Sequence, residues 1–157
     1  MRAELKRELG AALAALSLTL LIAALAAATP LENFLSYYSF PRLYAWYIYW
    51  RIAAVMLLTW IAASSFASRE RRLTRWFMVT SALALAGAHY AALIAEVVAG
   101  GVKIELLPFL YRVEVGGGST LKLDIAQVVL LITVVELVLI LRTSPRTASG
   151  GQPNPSR

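Results

Sequence analysis

Four long apolar runs alternate with short polar connections along the chain. They cover residues 11–29, 44–65, 76–98 and 125–141. Each run approaches the roughly 20 residues that a helix needs to cross the hydrocarbon core of a bilayer. Pro30 follows the first run and Gly100 the third, and both residue types commonly end helices. The pattern predicts an all-α integral membrane protein, with a bundle of four transmembrane helices within residues 1–142.

A different pattern separates the third and fourth runs. Residues 102–125 contain the pieces VKIEL, YRVEV and LKLDI, in which apolar residues alternate with one basic and one acidic residue. Alternation with a period of two predicts half-buried antiparallel strands, and the Gly-rich connection after YRVEV suits a hairpin. We therefore expect a small three-stranded antiparallel β-meander, on the extracytoplasmic side, between helices 3 and 4.

The charges within these pieces predict how the strands pair. One register in each hairpin places every charge opposite a counter-charge, which favours cross-strand pairing. The pairs are Lys103 with Glu114 and Glu105 with Arg112 in the first hairpin, then Arg112 with Asp124 and Glu114 with Lys122 in the second. The opposite face is apolar in all three pieces, so we expect it to cover the outer ends of the helices.

Basic residues are distributed unevenly among the connections, which predicts the orientation in the membrane. Ten lie at the two ends of the chain and in the connection between spans 2 and 3: Arg2, Lys6, Arg7, Arg69, Arg71, Arg72, Arg75, Arg142, Arg146 and Arg157. Five lie on the other side or in its approach: Arg42, Arg51, Lys103, Arg112 and Lys122. The positive-inside rule then predicts a multi-pass cell-membrane protein with both termini in the cytoplasm.

The two ends of the chain carry further expectations. Span 1 has the basic start and small residues of a secretory signal peptide, but its apolar run exceeds the usual 7–15 residues or so, which favours an uncleaved helix. Residues 143–157, TSPRTASGGQPNPSR, are too polar to bury a core, so we expect a disordered cytoplasmic tail.

Composition narrows the possible chemistry. The chain is 157 residues long, 59% hydrophobic and 15% charged, and it has no cysteine and one histidine. These counts exclude disulfides and thiolate metal sites, and His89 alone can supply only one axial ligand to a haem. We predict no metal, no cofactor and no enzymatic activity. The net charge of +6 follows from the membrane topology, so we expect no nucleic-acid partner.

Aromatic residues crowd the approach to span 2. Nine of the seventeen residues from Phe34 to Trp50 are aromatic. The predicted interface residues are Tyr37, Tyr38, Tyr44, Trp46, Tyr47 and Trp50. An aromatic belt at headgroup depth is the first interpretation. A stacking surface for a quinone, a lipid headgroup or a partner helix is the second.

Ionisable residues inside a span are costly in lipid and therefore mark candidate sites. Helix rise places Arg51 and His89 at similar depths, roughly 10 Å below the outer surface, with Glu96 above them and Gln127 at the start of span 4. These four residues form the predicted intramembrane polar cluster, which includes an Arg51–Glu96 ion pair. The alternative is structural, in which each group snorkels or bonds a neighbouring helix.

Glu136 lies apart from that cluster. It is about 9 Å from the inner end of span 4, at a level that Arg72 or Arg75 can reach, so we predict an inner-rim ion pair. A lone carboxylate can instead carry protons, and that alternative stays open.

Three functions follow from these features. The first is a non-enzymatic subunit or scaffold that associates with a larger membrane partner or with itself. The second is a small transporter or channel that uses the polar cluster. The third is a respiratory membrane anchor associated with haem, through His89, or with a quinone.

Overall fold

Four helices and one sheet make up the fold. The computed structural model describes residues 2–29 and 46–142, so the predicted tail and the aromatic residues Tyr37, Tyr38 and Tyr44 lie outside the described residues. The elements are α1 (Arg2–Ala28), α2 (Trp46–Phe66), α3 (Arg72–Ala99), β1 (Val102–Leu107), β2 (Leu110–Val115), β3 (Gly118–Leu123) and α4 (Ile125–Arg142). All four helices are long and apolar enough to cross a membrane, which confirms the predicted architecture.

Helix α3 is the centre of the bundle, because it contacts each of the other three. Its most extensive contact is with α2, around a core that includes Met56, Trp60, Met78 and Leu85. Hydrogen bonds between uncharged side chains also join the helices, among them Thr19 with Thr80 at 2.8 Å and Trp60 Nε1 with Thr133 Oγ1 at 2.8 Å. Few residues of α4 are buried, and its exposed remainder is apolar, as a lipid-facing helix requires.

Contacts between the helices fix which ends lie together. The first turns of α1 and α3 meet through ion pairs, and the guanidinium of Arg51 near the start of α2 donates a hydrogen bond to the carbonyl of Ala27 at the end of α1. The basic connection between α2 and α3 is therefore at one end of the bundle, and the sheet is at the other.

The sheet has the order β1-β2-β3, and both hairpins are antiparallel. The register of the first hairpin is the predicted one: Lys103 is opposite Glu114, and Glu105 is opposite Arg112. Arg112 Nη1 donates to Glu105 Oε2 over 2.9 Å. The charge pattern was sufficient here because the two-residue turn at Pro108 and Phe109 leaves little freedom in register.

The predicted register of the second hairpin is wrong by three residues. Arg112 is opposite Leu121 rather than Asp124, and Glu114 is opposite Ser119 rather than Lys122. Gly116 and Gly117 explain the difference, because both have positive φ and form a two-residue turn of the kind that matches strand twist. That turn brings Gly118, Ser119 and Thr120 into β3, where the charge pattern had left them in a longer loop.

An odd shift in register also moves the side chains of β3 to the opposite face. Leu121 and Leu123 are therefore on the same face as Arg112, and the predicted uniformly apolar face does not include them. Tyr111 and Val113 are on the other face, where Val113 is buried. Leu121 and Leu123 are 54% and 55% exposed.

Candidate functional site: a buried polar joint below the sheet

Asp124 is fully buried at the point where β3 ends and α4 begins. Its Oδ1 accepts a hydrogen bond from the backbone N–H of Gln127 at 3.1 Å, and its Oδ2 accepts one from the Gln127 side chain at 2.9 Å. An acidic residue with a glutamine three positions later is the sequence form of a helix N-cap, and the cap satisfies amides that the first helical turn leaves open. Asp124 thus caps α4 and forms no cross-strand pair.

Gln127 attaches the turn between β1 and β2 to the first turn of α4. Its Oε1 accepts a hydrogen bond from Phe109 N at 2.9 Å, and its Nε2 donates to Leu107 O at 3.1 Å. The backbone N–H of Asp124 donates to Phe109 O at 2.9 Å. Phe109 has a φ of +62°, an uncommon value for a bulky residue, and these bonds fix that conformation.

Two aromatic residues and one histidine complete the site. Tyr90 Oη donates to Asp124 Oδ2 at 3.1 Å, and His89 Nε2 lies 3.6 Å from Asp124 Oδ1, within ion-pair range but beyond hydrogen-bond distance. The His89 ring meets Tyr90 and Tyr111 edge-on, with centroids 5.5 and 5.9 Å away. We call His89, Tyr90, Tyr111, Asp124 and Gln127 the polar joint.

Burial and two nearby carboxylates set the electrostatics of the joint at Tyr111. Burial raises the pKa of the Tyr111 phenol, and the negative charges of Glu96 and Asp124 raise it further. Tyr111 is therefore neutral at physiological pH, and its contact with His89 is an edge-on contact between the two rings.

The structure brings together only part of the predicted intramembrane cluster. His89 and Gln127 meet at Asp124, and Glu96 is near enough for its charge to act on Tyr111. Arg51 is buried elsewhere, against the carbonyl of Ala27 and with its guanidinium carbon 5.7 Å from the centroid of the Tyr47 ring. Between the described residues there is no Arg51–Glu96 ion pair, because the guanidinium of Arg51 is turned toward the end of α1.

The predicted inner-rim pair of Glu136 with Arg72 or Arg75 is also wrong. Arg75 Nη2 binds Glu8 Oε2 at 2.8 Å, and Arg72 binds both Glu4 and Glu8. Trp76 Nε1 donates to Glu8 Oε2 at 2.8 Å as well. The sequence prediction missed these partners because it began span 1 at residue 11, whereas α1 begins at Arg2 and includes Glu4 and Glu8.

No ion pair joins Glu136 to another residue in the described part of the chain. One of its carboxylate oxygens, Oε2, is buried without a hydrogen-bond partner in the part of the chain that the structure describes. Glu136 follows Ala126, Val129 and Thr133 at helical spacing, so it extends the buried row of α4 by one turn.

The described part of the aromatic segment is ordered as a stack at the start of α2. Tyr47 and Trp50 are stacked with centroids 6.0 Å apart, and Trp46 meets Tyr47 edge-on at 6.4 Å. Tyr47 is buried and the guanidinium of Arg51 lies over its ring, while Trp50 is half exposed. The predicted belt therefore has a packing role at Tyr47 and an outward-facing ring at Trp50.

Sequence reasoning missed Tyr90 altogether and gave Asp124 the wrong role. The signal for Asp124 was present, since Asp124 and Gln127 have capping-box spacing directly before an apolar run. Tyr90 had no comparable signal, because its contact with Asp124 spans 34 residues. No group of three metal-ligating side chains occurs in the described ranges 2–29 and 46–142.

Comparison with known proteins gives no family for this chain: no family model, no curated protein and no solved structure matches it. Functional inference therefore depends on the geometry of the sheet, the polar joint and the helices.

Proposed function

We propose that this protein is a non-enzymatic membrane subunit that holds a larger membrane protein through the outward face and free edge of its sheet. The observation that carries the proposal is the exposure of β3. All six of its residues are exposed, and it is an edge strand with Leu121 and Leu123 on the face turned away from Tyr111 and Val113.

The polar joint favours a sheet that binds a partner over a sheet that opens and closes as a lid above the helices. A lid needs a hinge, whereas Asp124 and Gln127 bind the β1–β2 turn to α4 through three hydrogen bonds, two to Phe109 and one to Leu107. A fixed sheet loses little conformational entropy when it binds, which favours affinity. The polar groups of the joint are thus used to hold the platform in place.

The chemistry of β3 defines the partner that it fits. The edge offers unpaired backbone N–H and C=O groups to an added strand, and the two leucines offer apolar area beside it. Lys122 is the only charged residue within the strand. The expected partner is a membrane protein with an extended segment, apolar on one face and acidic near Lys122, on the side of the membrane that holds the sheet.

The test uses a photo-crosslinking amino acid at Leu121 in native membranes, with the same group at Lys103 on the far edge strand as the control. We expect one discrete adduct from position 121 with an integral membrane protein that co-purifies at fixed stoichiometry, and little from position 103. The L121D,L123D variant should lose this partner and keep its thermal stability, while T120D, on the other face of β3, keeps it.

Two outcomes would overturn the proposal. Adducts with lipid alone would show that the leucines rest in the headgroup layer. Adducts only between copies of this chain would make the sheet a self-association surface.

A further inference from the structure

An apolar groove of about 230 Å³ lies between α2, α3 and α4, beside the polar joint. Its walls include Trp50, Leu57, Leu85 and Ile125, and His89 is the one titratable residue among the described residues that line it. Trp50 and Ile125 are 50% and 42% exposed, so the mouth of the groove opens toward the lipid. No residue of the three-stranded sheet lines this groove.

The His89 ring contacts three other residues of the polar joint at this groove. Its ring is wedged against Tyr90 and Tyr111, and the carboxylate of Asp124 is behind it, 3.6 Å from Nε2. Asp124 cannot turn away, because Tyr90 and Gln127 already bind its oxygens. The carboxylate of Asp124 is within ion-pair range of the imidazole but makes no hydrogen bond to it. A neutral imidazole has one donor and one acceptor nitrogen, so His89 can donate a hydrogen bond to a ligand or accept one from it.

This combination selects a particular class of ligand. A plain acyl chain fits apolar walls but makes no use of an oriented imidazole, and a polar solute gains nothing from the walls. A flat ring with a carbonyl or hydroxyl group uses both, because it can pack beside the indole of Trp50 and bond His89 at its oxygen. The groove is smaller than a typical drug-sized site, which suits one ring whose tail leaves through the open mouth into the lipid.

We propose that this groove binds the head ring of a lipid-soluble quinone or quinol, with His89 on the ring oxygen. Asp124 acts as a positioning residue, since it contacts His89 and not the ring. This proposal does not depend on the proposed partner binding by β3, because the groove and β3 share no residue. Either proposal can therefore fail without the other.

The binding test uses the full chain in phosphatidylcholine nanodiscs, with decylubiquinone as the probe and tryptophan fluorescence as the readout. We expect saturable quenching, with the apparent Kd at least tenfold weaker in H89A than in the unaltered chain. H89Q keeps a hydrogen-bonding group, so it should recover part of that loss. W50F should lose most of the quenching, while W46F, one turn away and outside the groove, should keep it.

A second pair of variants separates the groove from general partition into lipid. A54F fills the groove from the α2 wall and should abolish saturable binding, whereas A62F, on the exposed side of the same helix, should leave the Kd unchanged. Circular dichroism and thermal unfolding establish that each variant is folded. L121D,L123D should bind decylubiquinone as the unaltered chain does.

Three results would overturn the proposal. Equal competition by decanol, which has the tail without the ring, would make the groove an acyl-chain slot. Equal Kd values for folded A54F and A62F would place the quinone elsewhere. An unchanged Kd in both H89A and H89Q would remove His89 from the site.

Discussion

Asp124 is fully buried while it accepts hydrogen bonds from a backbone amide, an amide side chain and a phenol. A carboxylate out of water needs such donors, because its desolvation is otherwise costly. Two of these donors belong to Gln127 in the first turn of α4, and the third belongs to Tyr90 of α3. Gln127 also binds the β1–β2 turn, so Asp124 and Gln127 together link the sheet to α3 and α4.

Replacement of Asp124 tests this role. D124A should lower the free energy of unfolding by about 2–3 kcal/mol, from a lost N-cap and an unsatisfied Tyr90 hydroxyl. D124N can still accept from the backbone and from Tyr90, so its loss should be about 1 kcal/mol. Unfolding in detergent micelles, monitored by circular dichroism, measures both. Equal losses in the two variants would mean that the negative charge, not the hydrogen-bond geometry, holds the joint.

Glu136 is the opposite case, a carboxyl group in a membrane helix with one buried oxygen that lacks a partner among the described residues. An unsatisfied buried polar atom costs about 1–3 kcal/mol. E136L should therefore raise the free energy of unfolding of the isolated protein by about 1–2 kcal/mol, while E136Q, which keeps the polar atoms, should change it little. A lower stability of E136L in micelles would show that Glu136 makes a stabilising contact.

At the scale of the elements, the two hairpins show which local signals control register. In β1–β2 the charge pattern and the short turn agree. In β2–β3 they conflict, and the Gly116-Gly117 turn prevails because its backbone twist matches the strands, whereas exposed charge pairs contribute only about 0.2–1 kcal/mol each. The same conflict leaves Leu121 and Leu123 on the outward face.

Engineered cysteines test this register directly, since the chain has none of its own. E114C with S119C places the two residues opposite each other, so a disulfide should form readily under mild oxidation. E114C with K122C, the pair required by the charge-matched register, should not form one, because Lys122 is on the other face. Mobility on non-reducing gels, with mass spectrometry of the linked peptide, distinguishes the two. Preferential cross-linking of the second pair would restore the charge-matched register.

At the scale of the whole molecule, the end of the bundle opposite the sheet is held by ion pairs between α1 and α3. Glu8 is central, because it binds Arg72, Arg75 and Trp76 at once. Glu4 binds Arg72 as well but is mostly exposed, and exposed pairs add little to stability. The guanidinium of Arg75 is almost entirely buried and depends on Glu8.

These two glutamates provide a matched comparison. E8Q should lower the free energy of unfolding by about 1–2 kcal/mol, because it weakens charge-assisted hydrogen bonds to Arg75 and Trp76. E4Q should change it by less than about 0.5 kcal/mol, and that change should vanish at high salt. Urea or SDS titrations at two salt concentrations give both values. A larger effect of E4Q than of E8Q would contradict the assignment of Glu8 as the main link.

The orientation of the bundle stays a prediction from the distribution of basic residues. A single cysteine at Ser119, in the sheet, should react with a membrane-impermeant maleimide on intact cells. A single cysteine at Glu70, in the basic connection between α2 and α3, should react only after the cells are permeabilised. The reverse labelling pattern would place the sheet, and the proposed docking partner, in the cytoplasm.

The sequence by itself determined the four spans, the three strands and the register of the first hairpin. Each of these depends on local periodicity or on a short turn, such as that at Pro108 and Phe109, so neighbouring residues carry the information. The sequence also carried the Asp124–Gln127 cap, since capping is local, although the charge alternation obscured it.

Only the tertiary structure decided the partners that are distant along the chain. Tyr90 meets Asp124 across 34 residues, Arg75 meets Glu8 across 67, and Arg51 turns to Ala27 rather than to Glu96. Helix rise gives the depth of a side chain but not its direction around the helix axis relative to a neighbour. The packing of α1, α2 and α4 around α3 sets that direction. It therefore determined which buried charges are paired and left Glu136 without a partner among the described residues.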